Sequence, residues 1–339
     1  MQQTHSQSGF SLIELMVAMA IMLVISGAAV GALLRMTSAQ ATIWNRTQMH
    51  SGIRGATEVL QQEVGQAGRI SLPVVVTLTN GTTGCGPTPN CTTTITVSST
   101  NGMFLDEKIV IDLGVNQETV LITNIDTSTR ILTVKSATGD VVGSHTTTGV
   151  PVQALGAFSA GIIPPLASPS AYVPSGPTMT YTDGSTGNVL KMFGDINADG
   201  NMVYVEYECI IPASPSTAPG NLYRRVMPWN QTTPTTRPPS ASDILLGNIM
   251  RNPDNTPCFT YQVQPVNMNG VVTYFVTDVA ITLTVQTQNR DPVTKQFQNE
   301  TKALLNVSPR NVFNAWQLAA LKVYERVQPI PASVTALLH

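Results

Sequence analysis

Charge is scarce in this sequence. Asp, Glu, Lys and Arg make up 11% of its 339 residues, and the net charge is −2. Ordinary globular proteins carry about 25% charged residues. No block of Lys or Arg occurs, which excludes a nucleic-acid surface, because that needs clustered cations to displace counterions. Catalytic signatures are missing too: there is no HExxH, GxSxG, P-loop or GxGxxG. The histidines, His5, His50, His145 and His339, fall in unrelated contexts. An enzyme reading therefore has no motif behind it. No proline occurs before Pro73, so none interrupts a helix up to that point.

Cysteine is limited to Cys85, Cys91, Cys209 and Cys258. No CxxC or Cys/His cluster points to zinc. Cys85 and Cys91 bracket a short loop, CGPTPNC, whose Pro and Gly favour a tight turn. In an oxidising compartment two disulfides are expected. Of the three pairings open to four cysteines we favour Cys85–Cys91 with Cys209–Cys258. The alternative is four buried free thiols.

What the chain does contain is a long apolar run. Phe10–Leu34 is 25 residues with one ionisable side chain, Glu14. As a helix it spans about 37 Å, enough to cross a bilayer with some tilt. A carboxylate at mid-bilayer costs about 2.5–3.5 kcal/mol, so an intramembrane acid is a functional candidate. Ala20, Gly27 and Gly31 add small residues, and the GxxxG match at 27–31 permits close helix approach. A cleaved secretory signal has its small-residue cleavage site after the apolar core. Here the distinctive junction, Gly9–Phe10, precedes it.

SGFSLIELMVAMAI resembles the type IV prepilin signature: Gly, an aromatic, then an apolar run with Glu five residues in. The resemblance implies cleavage after Gly9 by a membrane prepilin peptidase and methylation of the new N-terminus at Phe10. Residues 1–9 become a lost leader, which carries His5 but no Lys or Arg. It implies that Glu14 neutralises the Phe10 amine of a neighbouring subunit during assembly. Opposite charges in a low-dielectric core cost less together than apart. The implied partners are prepilin peptidase, other pilin subunits, the inner-membrane assembly machinery and the lipid bilayer before assembly. The implied location is the inner membrane with the head in the periplasm, then a pilus or pseudopilus.

Beyond Arg35 the pattern changes. Ile53, Ala56, Leu60, Val64 and Ala67 recur at helical steps, while Arg54, Glu58, Gln61, Gln62 and Glu63 supply polar positions. This predicts one helix over residues 10–68 whose second half packs on a globular head. Gly65 and Gly68 weaken it, and Pro73 ends it. The fold class is α+β and pilin-like, with an antiparallel β-rich head.

Residues 69–158 read as an inserted small β-module, a barrel or sandwich of short strands such as EKIVIDLG, ETVLITNID and RILTVKSA. Residues 159–308 read as the pilin-like head. Its Pro-rich loops cover 159–188 and 212–242, the second containing NLYRRVMPW. Sequential hairpins make a meander the simplest topology. Residues 309–339 read as a C-terminal helix and tail. Val312, Phe313, Trp316, Ala319, Ala320 and Val323 form its packing face between Pro309 and Pro329.

DINADGNMVYVE, residues 195–206, fits D-x-[DN]-x-[DN]-G-x5-E. Asp195, Asn197, Asp199, the Asn201 carbonyl and Glu206 would supply calcium ligands. The flanks alternate like strands, so the other reading is an Asn/Asp/Gly-rich hairpin turn.

The size of the head and the paired cysteines look most like a large minor pilin of the PilW type. Its implied role is structural. A J-type pseudopilin of type II secretion shares the same N-terminus. From another class, a membrane-anchored calcium-dependent adhesin would act through the β-module.

Overall fold

The computed structural model describes residues 9, 11–81, 84–85, 91–139, 142–145, 148–165, 184–213, 218–231 and 239–338. The leader before Gly9, Phe10 and much of both Pro-rich loops lie outside the described residues. The chain divides into two compact units. One is Met1–Ser51 with Gln286–Glu300, and the other is Gly52–Val285 with Thr301–His339.

Helix α1 (Leu12–Gln66) contributes to both units. Its first part is exposed on every face. Within the smaller unit, Thr42 Oγ1 donates to Asp291 Oδ2 at 2.9 Å and Arg46 Nε donates to Gln298 Oε1. Asp291 in turn accepts the amides of Val293 and Thr294, each at 2.8 Å, closing a turn within QNRDPVTKQF.

In the larger unit α1 becomes amphipathic as expected. Ile53, Ala56, Leu60, Val64 and Ala67 are all buried. The helix stops at Gln66, two residues before the predicted end. Gly68 has φ +81, a left-handed conformation that glycine adopts without strain. Its amide then donates to Phe193 O at 2.8 Å and its carbonyl accepts from Phe158 N at 2.9 Å. The chain thus leaves the helix directly into the β structure.

The inserted module is a closed barrel among the described residues. Its strands are β1 (Val76–Thr77), β2 (Thr92–Thr96), β3 (Lys108–Ile111), β4 (Glu118–Asp126), β5 (Ile131–Ser136) and β6 (Pro151–Ala154). They run in the order β1-β6-β3-β4-β5-β2, each pair antiparallel. The ends meet where Leu78 bridges Val97 and Thr79 N donates to Thr96 O at 2.9 Å. Closure removes the unpaired edges that invite aggregation. Alternate residues point inward: Leu132 and Val134 from β5 meet Ile95, Ile109, Ile111 and Ile122 in one apolar core.

The head sheet follows. Its strands are β8 (Val189–Gly194), β9 (Val203–Ile210), β10 (Gly220–Pro228), β11 (Ile244–Met250), β12 (Phe259–Met268), β13 (Val271–Gln286) and β14 (Asn299–Val307). The order is β12-β13-β11-β10-β9-β8, with β14 also on β13. The simple meander holds from β8 to β11 and then fails, because β13 pairs with both β11 and β12.

One sequence reading is corrected here, and one strand appears where no expectation was made. NLYRRVMPW is not loop: β10 pairs with β9 over eight positions, from Asn221–Ile210 to Pro228–Val203. ILLGNIM, which lacks strand alternation, forms β11 against β10 through register shifts, with Asn248 at φ +56. Cross-strand pairing overrides a weak local pattern.

Helix α2 (Arg310–Ala320) starts after Pro309 as predicted and buries Val312, Ala315 and Ala319. Ala315 therefore takes the inward place assigned to Ala320, which is exposed. Trp316 is half-buried against Phe313, with ring centroids 5.3 Å apart. Strand β15 (Val327–Gln328) then pairs in parallel with β7 (Ala157–Phe158), and a short helix α3 (Ala332–Ala336) follows.

Candidate functional site

The candidate site is the N-terminal end of α1. Gly9 and Ser11 are exposed, and Phe10 lies outside the described residues. Glu14 is an exposed residue in the first turn of α1, where a carboxylate complements the helix dipole. Its Oε2 accepts the Ser11 amide at 3.0 Å, satisfying one of the donors that a helix start leaves open.

From Leu12 to Thr37 every residue is exposed. Leu12 is 76% exposed, Leu23 72% and Leu34 62%, so no described residue covers this apolar cylinder. Water is a poor solvent for such a surface, which therefore belongs in lipid or against other helices. A Cβ added at Gly27 or Gly31 would meet nothing within 4 Å. Packing among the described residues does not account for these small residues.

The cysteines pair as favoured. Cys85 joins Cys91 with Cα atoms 6.0 Å apart, and Cys209 joins Cys258 at 6.5 Å. The second bond ties β9 to the segment entering β12.

Residues 195–202 of the Asp/Asn segment form the turn between β8 and β9. Asp195 is fully buried, and its Oδ1 accepts the amides of Asp199 at 3.0 Å and Gly200 at 3.3 Å. Asp199 Oδ1 accepts the Asn201 amide at 2.8 Å. Ala198 and Gly200 both have positive φ, at +56 and +88. Asn197 lies on the same turn.

Glu206 sits apart on β9. It accepts from Tyr204 OH and from Arg225 NH2, each at 2.8 Å. It lies three residues beyond Val203, the first residue of β9, or about 10 Å along the strand. Glu206 is thus on the strand, and Asp195, Asn197 and Asp199 are on the turn that precedes it. Among the described residues no group of three or more His, Cys, Asp or Glu is placed to hold a metal.

One site the sequence reading missed is Glu63. It is 7% exposed, and its carboxylate accepts from Tyr207 OH at 2.5 Å and from Arg224 Nε at 3.0 and 3.1 Å. Burial and the neighbouring Glu63 charge push the Tyr207 hydroxyl far above the ordinary tyrosine range. The signal was available: Glu63 falls between Leu60, Val64 and Ala67 on the apolar stripe. A charge on that stripe must find a partner on the facing surface.

Residues 4–30 match the family model of the prokaryotic N-terminal methylation motif. That match supports a type IV pilin-like or pseudopilin precursor. No curated protein and no solved structure matches the chain. The motif implies processing by prepilin peptidase and assembly with pilin subunits, and with the apolar helix it fits a membrane-anchored pilin. Proteins with this pilin-like motif are structural rather than enzymatic.

Proposed function

We propose that this chain is a structural minor pilin subunit of a type IV pilus, cut after Gly9, methylated at Phe10 and assembled through α1. One observation carries the reading. The uncovered apolar half of α1 begins directly at the processing junction, with Glu14 in its first turn. A lipid anchor needs no carboxylate at that position. In a filament Glu14 would meet the methylated amine of Phe10 from a neighbouring subunit, each charge offsetting the burial of the other. Gly27 and Gly31 would let that neighbour approach closely. The barrel and the head would stand outside the helical core, in the manner of a large PilW-type minor pilin.

The test is the mature N-terminus. The chain is purified from its native membrane and identified by mass spectrometry. A terminus at singly methylated Phe10 supports the reading. A chain still beginning at Met1, in cells with active prepilin peptidase, overturns it. Immunogold labelling then separates a surface pilus from the short periplasmic filament of a J-type pseudopilin.

A further inference from the structure

Glu107 lies immediately before β3 and is 0% exposed. Its Oε2 accepts the Phe104 amide at 3.1 Å, while Oε1 is buried without a hydrogen-bond partner. Its own amide donates to Phe104 O at 3.3 Å, closing a tight turn in which Asp106 has φ +67. Phe104 leaves the barrel for the core of the head. Its ring lies 5.9 Å from those of both Phe158 and Trp229. One residue further on, Lys108 Nζ donates to the carbonyls of Tyr324 at 2.5 Å and Val327 at 2.8 Å. The Lys108 backbone exchanges two bonds with the Gln328 side chain, at 2.9 and 2.7 Å. Residues 104–108 therefore join the barrel to the head.

The joint encloses a carboxyl that its surroundings do not support as an anion. Burial pushes the Glu107 carboxyl up to about 8, and the Phe104 amide opposes this only in part. The neighbouring titratable groups are otherwise engaged. Asp106 sits on the exposed turn. Lys108 holds two carbonyls, with Glu325 as its nearby counter-charge. Tyr204, in the same core as Phe104, donates to Glu206. Tyr274 packs at the edge of that core.

We propose that Glu107 is a proton-operated latch: protonated, it holds the Phe104–Lys108 segment closed on the head, and opening of that segment releases the proton. In the open segment the carboxyl returns to its ordinary value of 4.5. The open form then binds fewer protons than the closed form between that value and about 8. Opening becomes more favourable by about tenfold per pH unit across that window and levels off above it. Burial also lowers the Lys108 ammonium to about 8, so near and above the top of this window the open form keeps the Lys108 proton that the closed form loses, which opposes the Glu107 trend there. Opening uncovers Phe104 and Trp229, making apolar surface available as pH rises.

Hydrogen–deuterium exchange on the full chain in detergent micelles tests this, with each rate divided by its intrinsic rate at that pH. Between pH 5.5 and 7.5 the amides of residues 104–108 should lose about 100-fold in protection. The Leu132 and Val134 amides in the barrel core should not change. In Glu107→Gln the 104–108 amides should show no slope. Protection independent of pH in the native chain overturns the latch, as does an equal slope in the variant. If the variant does not fold, the native slope decides alone: confined to 104–108 it supports the latch, and absent it sinks it.

Discussion

Arg224 on β10 donates through Nε to both carboxylate oxygens of Glu63 on α1, at 3.0 and 3.1 Å. Tyr207 on β9 donates to the same carboxylate at 2.5 Å. Glu63→Ala would leave a half-buried guanidinium and a buried hydroxyl without their acceptor. The expected loss is about 3–5 kcal/mol, since removing one partner of a buried pair strands the other. Denaturant unfolding of the full chain in micelles, followed by circular dichroism, measures it. Replacing Glu63 with Leu and Arg224 with Met together should cost less than Glu63→Ala alone.

Gly161 lies against the helix exit. A Cβ there would sit 2.1 Å from Gly68 Cα and 2.4 Å from Gly68 N, both backbone atoms that cannot rotate away. Gly161→Ala should therefore cost at least about 2 kcal/mol, at the upper end of overpacking penalties or beyond. Gly55→Ala is the control, because a Cβ there meets nothing within 4 Å. In the helix interior it should be neutral or stabilising. Melting temperatures of the two variants, compared in the same detergent, check the pair.

The two disulfides should differ in weight. Cys209–Cys258 closes 49 residues and Cys85–Cys91 only six. Loop-closure entropy then assigns about 4 kcal/mol to the first and about 2 to the second. Alanine pairs at each site, unfolded in denaturant, should show the larger loss at Cys209–Cys258. An equal or reversed order would show that local strain or residual structure outweighs loop length.

Glu14→Ala should still insert into the membrane, because removing a charge from an apolar segment only favours insertion. It should fail to enter filaments. Fractionation of membranes and sheared filaments reads both. Normal incorporation of the variant would remove Glu14 from the assembly step.

The features written in the sequence are those governed by local chemistry. The apolar run, the Gly9–Phe10 junction and Glu14 are contiguous, so type and spacing suffice to read them. The helix face of Ile53, Ala56, Leu60 and Val64 follows from a 3.6-residue repeat, and the barrel strands from alternation of period two. What tertiary structure alone decided depends on residues far apart in the chain. Closure of the barrel rests on Leu78 meeting Val97, and β11 exists because β10 and β13 supply its hydrogen bonds. The twelve-residue Asp/Asn loop satisfies its pattern as text, yet the pairing of β9 with β10 commits Glu206 to Arg225. Glu63 reads as one more polar residue until Tyr207 and Arg224 arrive from 144 and 161 residues away. Glu107 is likewise unremarkable until the turn that sends Phe104 into the head removes its carboxyl from water. Local pattern specifies what each segment can form; burial, decided by the whole fold, sets what each charged group does there.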